Sequence, residues 1–279
     1  MKKLMFAIAA VAAGAVFAEE EAPAITSANI VGYNTITVPA KYHMGFGVQF
    51  TDVSGASQSI KVTDLLGDYA PTASGNWAAM DQIWVWNTTD DKWNMFGYRS
   101  GKQTRPTGWW LYNNQTATWV REVADTDVVS SGEGFYLFNA ATTAKTITLS
   151  GAVVPLTDKK TFTIASKYHA AVAYPWPIEI KVADLFSYLT AGTVTASGNW
   201  AAMDQVWVWN TTDDKWDMFG YRSGKQTRPT GWWLYNNQTA TWVREMADTD
   251  TIAPGKMVYL FNAGAAAKTF EFTAKKSEE

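Results

Sequence analysis

The amino-acid sequence predicts an all-β fold: two tandem antiparallel β-sandwich or barrel-like domains from an internal duplication, each with one short helix. Three observations predict it. Residues 73–127 recur as residues 196–250, and only Ile83, Asn94 and Val123 change, to Val206, Asp217 and Met246. Within the repeat, short runs of β-branched and aromatic residues are separated by turn clusters every roughly 8–12 residues, the spacing of sandwich and barrel strands. No cysteine occurs, so folding rests on core packing, and each copy holds seven of the chain's 15 tryptophans. An offset of 123 residues marks a duplicated domain rather than a solenoid, whose period is roughly 20–50 residues.

Taken in order, residues 1–18 read as an export signal. Lys2 and Lys3 precede an apolar run from Leu4, and Val16 and Ala18 stand at the two positions a signal peptidase reads. The run is shorter than the roughly 20 residues of a membrane span, so the mature chain is expected in the periplasm, on the outer surface or outside the cell, with no transmembrane span. Residues 19–28, acidic and small, form a flexible leader. The first domain is then 29–151, with strands at 29–38 and 44–50. A helix of about two turns follows within 57–69, where Ile60, Leu65 and Leu66 share a face and Ser57 or Ser59 caps.

The repeated stretch reads as hairpins. Residues 81–87 and 92–99 flank a polar turn at 88–91, and 100–108 is a loop punctuated by Gly101, Pro106 and Gly108. Residues 109–113 and 118–123 make the second hairpin, and 135–139 and 145–149 close the domain. After a connector at 152–159, the second domain (160–274) repeats this order, and 275–279 is a charged tail.

The order of an S-A-N-I-V-G-Y opening, a D-L-L helix, an I-W-V-W-N strand and a closing G-E-G-F-Y-L strand resembles Trp-rich β-modules of large exported surface proteins of Gram-negative bacteria. The resemblance covers most of both domains and implies a secreted or cell-surface role for a bacterial protein. It carries no site residues across. The second domain departs from it where Lys256, Met257 and Val258 replace Glu133, Gly134 and Phe135.

Without the signal, 21 basic and 26 acidic side chains remain. A mildly acidic chain is a poor fit to nucleic acid, whose binding rests on cationic contacts to phosphate. The tryptophans carry the functional expectation. A period of two puts Ile83 and Val85 on one face of their strand and Trp84 and Trp86 on the other, so both faces are apolar and one needs a cover or a ligand. Trp109 and Trp110, being adjacent, must also point to opposite faces.

Flat aromatic faces with nearby amides and acids suit the C–H faces and hydroxyls of sugar rings. The expected ligand-binding residues are therefore Trp84, Trp86, Trp110, Tyr112, Asn113 and Asn114, with Trp207, Trp209, Trp233, Tyr235, Asn236 and Asn237 in the copy. Gln115 stands beside the first set, and Asn87 and Asp90 beside Trp86. Two such sites would make a bivalent binder of a polysaccharide or surface glycan. Most of the remaining tryptophans are expected in the core, since burying one removes roughly 150–250 Å² from water.

A structural or matrix and adhesion protein is the alternative, its aromatic faces serving self-association or other surface proteins. The basic loop (Arg99, Lys102, Arg105; Arg222, Lys225, Arg228) reads as a solvated loop, or as a site for a sulfated or phosphorylated glycan.

Catalysis finds little in the sequence. His43 and His169 stand at equivalent strand ends and read as structural, and two histidines without cysteine or an H-E-x-x-H run give no zinc site. A glycosidase would need two carboxylates in one cleft, and Asp81, Asp90, Asp91, Glu122, Asp125 and Asp127 are the candidates. No catalytic residue, cofactor or metal is expected.

Overall fold

The computed structural model describes residues 31–52, 59–101, 105–210, 215–224 and 229–274. The export signal, the leader, the charged tail, and Lys102, Lys225 and Arg228 of the basic loops lie outside them. The described chain is mostly antiparallel β, as the alternation and turn spacing predict. No helix among the described residues is long and apolar enough to cross a membrane.

In the first half the strands are β1 (Val31–Val38), β2 (Tyr42–Gly47), β3 (Phe50–Thr51), β4 (Ser59–Lys61), β5 (Gln82–Asn87), β6 (Lys92–Arg99), β7 (Gly108–Asn113), β8 (Thr118–Glu122), β9 (Val128–Ser130), β10 (Gly134–Asn139) and β11 (Lys145–Val153). The second half carries β12 (Lys159–Ile164), β13 (His169–Ala173), β14 (Ile180–Lys181), β15 (Leu189–Ala191), β16 (Gln205–Asn210), β17 (Lys215–Arg222), β18 (Gly231–Asn236), β19 (Thr241–Glu245), β20 (Thr251–Ile252), β21 (Met257–Phe261) and β22 (Lys268–Thr273).

Each half is sandwich-like. In the first, the six-stranded sheet β2-β10-β5-β6-β7-β8 faces the three-stranded sheet β1-β11-β3, and β4 pairs with β9 at the side. The second repeats this with β13-β21-β16-β17-β18-β19, β12-β22-β15 and β14-β20. The first core lies between the two sheets: Met44, Phe46, Ile83, Val85, Phe96, Trp109, Phe135 and Leu137 from the large one meet Val38, Ile147 and Leu149 from the small one, with Val62, Leu65 and Leu66 closing the side.

The expected helix forms only in part. In the first half β4 takes Ser59–Lys61 into a strand, and what remains is a run of turns with amide bonds Leu65 N to Lys61 O and Gly67 N to Asp64 O. Gly67, at φ +53°, ends it, since only a residue without Cβ adopts that conformation freely. The second half has a 3-10 helix there, Ala183–Tyr188. The repeated block adds a 3-10 turn, Trp77–Ala79, capped by the Asn76 side chain accepting from Ala78 N. The connector is also shorter than expected, because β11 runs on to Val153.

The halves meet along the edges β2 and β13 through reciprocal contacts. Gly47 N donates to Gly255 O at 2.8 Å, and Ala173 N donates to Gly132 O at 2.8 Å. Phe46 bridges Lys256, and Glu133 bridges Val172. Gln49 Nε2 reaches across to Trp176 O at 2.9 Å. This edge-to-edge contact brings the second faces of the two large sheets toward one another.

Candidate functional site

Cross-strand register sets the face that is not core. One row reads Gly45, Tyr136, Trp84, Met95, Tyr112 and Trp119 across β2, β10, β5, β6, β7 and β8. Trp86 pairs with Trp93 in the next row. The sheet is therefore apolar on both sides, as the period of two requires, and this second side divides into two aromatic regions.

The first region meets its counterpart from the other half. His43, Trp84, Trp93 and Tyr136 face Trp207, Trp209, Trp216 and Tyr259 around a cleft of about 440 Å³. That size falls in the roughly 300–1,000 Å³ range of small-molecule sites. Rings interlock across it: Tyr259 packs edge-on to Trp86 at 5.2 Å and stacks on Trp93 at 6.1 Å, while Tyr136 meets Trp216 edge-on at 6.2 Å.

Hydrogen bonds fix the walls. Trp84 Nε1 donates to Gln82 Oε1 at 3.0 Å, and Gln82 Nε2 donates to Trp77 O; Trp207 and Gln205 repeat this. Trp86 Nε1 donates across the interface to His169 O at 2.9 Å, and Trp209 Nε1 donates to Tyr42 Oη at 3.2 Å. Asp91, in a left-handed conformation at the turn between β5 and β6, accepts from His169 N at 2.8 Å.

Four polar groups in the cleft keep their hydrogen-bonding capacity. The indole N–H groups of Trp93 and Trp216 and the phenols of Tyr136 and Tyr259 have no protein partner among the described residues, and each still meets solvent. Burial raises both phenol pKa values; Tyr259 adds to the rise at Tyr136, and Asp91 to that at Tyr259. Both therefore stay protonated donors at neutral pH. His43 stacks on Phe138 at 4.3 Å, and burial by its neighbours lowers its pKa. His169, stacked on Tyr259 at 5.0 Å, is lowered by burial against the opposing effect of Asp91.

The residues expected from sequence fall in different places. Trp84, Trp207 and Trp209 line the cleft, and Trp86 packs into the joint behind it. Trp110 and Tyr112 lie on the same face in the second region. There Tyr112 stacks on Trp77 at 4.3 Å beneath Trp119, and Tyr235 repeats this with Trp200 and Trp242. Gly97 permits that stack, because a Cβ there would lie 2.7 Å from the Trp77 ring and 2.9 Å from that of Trp119.

Trp110 is only 9% exposed, with Arg99 and Arg105 over its ring, and Trp233 is half-buried under Arg222. Neither is an open platform. Asn113 alternates to the face opposite Trp110, and its Oδ1 is occupied by Gln115 N and Thr116 N; Asn236 does the same. Asn87 likewise holds its own turn, accepting from Thr89 N and Asp90 N. Asn114 and Asn237 are exposed at turn tips.

Sequence reasoning missed His43, Trp93, Trp216, Tyr136 and Tyr259. Same-face parity with Trp84 was the signal that could have found them.

Five of the six candidate carboxylates have structural partners, and Glu122 is exposed. Asp81 is buried and accepts from Tyr69 Oη, Thr72 N, Ala140 N and Lys145 Nζ, all within 2.8 Å. Asp127 takes a two-pronged bond from Arg121, Asp125 pairs with Lys61, and Asp90 with Lys92. Comparison with known protein families, curated proteins and solved structures gives no match to this chain.

Proposed function

We propose that this is an exported, non-catalytic glycan-binding protein of the cell surface or its surroundings, and that the aromatic cleft between the halves is its sugar site. The observation that carries the reading is the cleft's chemistry. Flat rings from both halves offer stacking surface, while Trp93, Trp216, Tyr136 and Tyr259 offer donors with no protein acceptor among the described residues. Apolar walls with a few placed polar groups are what a small-molecule site needs. The reading departs from two independent platforms, because Trp84 and Trp207 converge on one cavity. One chain thus presents one composite site.

Intrinsic fluorescence titration against soluble neutral polysaccharides tests it. Saturable quenching, lost when Trp84 and Trp207 are replaced by alanine in a protein that keeps its fold, is the expected result. A flat response across the panel, with concentration-dependent assembly in light scattering, favours the matrix reading instead. Val120 and Val243, more than half exposed on the edge strands β8 and β19, are the feature that supports that second reading.

A further inference from the structure

The second aromatic region holds a cation, the Arg99 guanidinium, that forms no ion pair among the described residues. Arg99, at the end of β6, projects on the same face as Met95 and Gly97, and its Cζ sits 5.8 Å from the Trp110 ring and 5.9 Å from that of Trp119. A guanidinium between two indole faces gains cation–π attraction, which fixes its position but occupies none of its N–H groups. The Arg99 guanidinium makes no hydrogen bond or ion pair with any protein group among the described residues, and its Nη1 is buried. Beside it the indole Nε1 of Trp110, on a side chain nine-tenths buried, is also buried without an acceptor. Arg105 lies over the same ring at 5.5 Å from the exposed side.

Buried donors without acceptors cost free energy, and here Arg99 Nη1 and Trp110 Nε1 both lack an acceptor among the described residues. Glu122, opposite Trp110 across the strands, is exposed and makes no ion pair with Arg99. The second half repeats the cation: Arg222 Cζ lies 5.9 Å from both Trp233 and Trp242, and its Nη1 is likewise buried without a bond among the described residues.

We propose that Arg99 with Trp110, and Arg222 in the second half, bind the oxyanion substituents, sulfate ester or carboxylate, of an acidic polysaccharide. The guanidinium fork matches two oxygens of either group, and the indole N–H supplies a third donor. Arg105 adds charge at the mouth. Two such sites on one chain restore a bivalent mode of engagement, since a polyanion held at one has a raised effective concentration at the other. The choice of a polysaccharide rests on the glycan reading above; the oxyanion site itself rests on Arg99 and Trp110.

The test titrates the purified protein with dextran sulfate, polygalacturonate and neutral dextran. Wild type is compared with Arg99→Gln/Arg222→Gln, Arg99→Lys/Arg222→Lys, and a charge control, Lys92→Gln/Lys215→Gln. Saturable binding of either polyanion supports the site, and which polymer binds tells sulfate from carboxylate. The glutamine pair should weaken that binding at least tenfold, the lysine pair less, and the charge control less than twofold. Equal losses in the glutamine pair and the control, or no polyanion binding by wild type, overturn the proposal.

Should the glutamine pair fold poorly, the wild-type indole N–H resonance assigned through Trp110→Phe gives an independent readout. It should shift as the polyanion saturates, and an unmoved resonance during binding overturns the site. The cleft is followed separately through Trp84→Ala/Trp207→Ala. That variant should keep polyanion binding, so the failure of one site is distinguishable from failure of the other.

Discussion

Met257 of β21 occupies the position that Gly134 holds in β10, and the two meet where the halves join: a Cβ on Gly134 would lie 2.3 Å from Met257 Cγ. Met257 is fully buried, and its Cε also fills the space over Gly45. The reciprocal edge contact is thus sterically unequal, one side bare and the other filled.

Exchange of these residues should therefore be strongly coupled. Gly134→Met overpacks the joint and should cost about 1–3 kcal/mol, while Met257→Gly opens a cavity and should cost about 2–5 kcal/mol. The double exchange restores the side-chain volume in mirrored form and should recover part of both losses. Urea unfolding of the four proteins gives the coupling; simple additivity would show that the two residues do not act on one another.

The paired acids Asp81 and Asp204 should differ in their tolerance of neutralisation. Lys268 Nζ bonds both oxygens of Asp204, and the two side chains are 3% and 1% exposed, whereas Lys145, the partner of Asp81, keeps 18% of its side chain in contact with solvent. Burial lowers the Lys268 pKa, and the Asp204 hydrogen bond and charge oppose that fall. Asp204→Asn strands a buried ammonium and should cost about 3–5 kcal/mol. Asp81→Asn should cost less, because Lys145 can turn to water. Thermal or denaturant unfolding compares them, and a larger loss at Asp81 contradicts the argument.

Much of this fold was legible in the sequence. Alternation placed Ile83 and Val85 in the core with Trp84 and Trp86 opposite, and adjacency put Trp109 and Trp110 on different faces. The turns closed where Asn87 and Asn113 stand, because their side chains cap the amides two and three residues on. What was not legible is the relation between the halves. It depends on small residues in the edge strands, such as Gly47 against Ala173 and Gly45 beneath Met257, which local periodicity reads only as weak strand. The replacement of Gly134 by Met257 was visible as a departure from the repeat, but its fit into the space over Gly45 exists only in three dimensions. For the same reason the two expected platforms became one cleft, and amides adjacent in sequence to Trp110 proved to be turn caps.

Ring removal in the cleft should separate binding from folding. Trp84 and Trp207 are half-buried with one face to the cavity, so Trp84→Phe and Trp207→Phe keep an aromatic surface while losing the bond to Gln82 or Gln205. Each should weaken neutral-glycan binding by about three- to tenfold, corresponding to about 0.7–1.4 kcal/mol. Trp176, fully buried in the second core, offers the contrast. Trp176→Ala should cost about 3–5 kcal/mol of stability, with binding unchanged in whatever fraction remains folded. Isothermal titration beside chemical denaturation distinguishes the two classes, and a Trp84 variant that loses stability without losing affinity counts against the cleft.

The joint between the halves should weaken in mild acid, through His169. Its pKa lies below the ordinary 6.5, because burial disfavours the imidazolium more than Asp91, 3.6 Å from Nδ1, favours it. In the window between the folded value and 6.5 the unfolded chain binds more protons than the folded one, so stability rises with pH there. The contribution of neutral His169 is complete above that window and is lost as pH falls through it, levelling off once the folded-state pKa is passed. Asp91→Asn removes the opposing charge while keeping an oxygen to accept from His169 N. It should lower the His169 pKa further and extend the acid loss to lower pH, whereas His169→Gln should reduce the slope to the part that buried His43 contributes. Proton NMR titration of the imidazole, alongside unfolding free energies between pH 5 and 8, measures both. An imidazole titrating above 6.5 in the wild type would reverse the sign and refute the assignment.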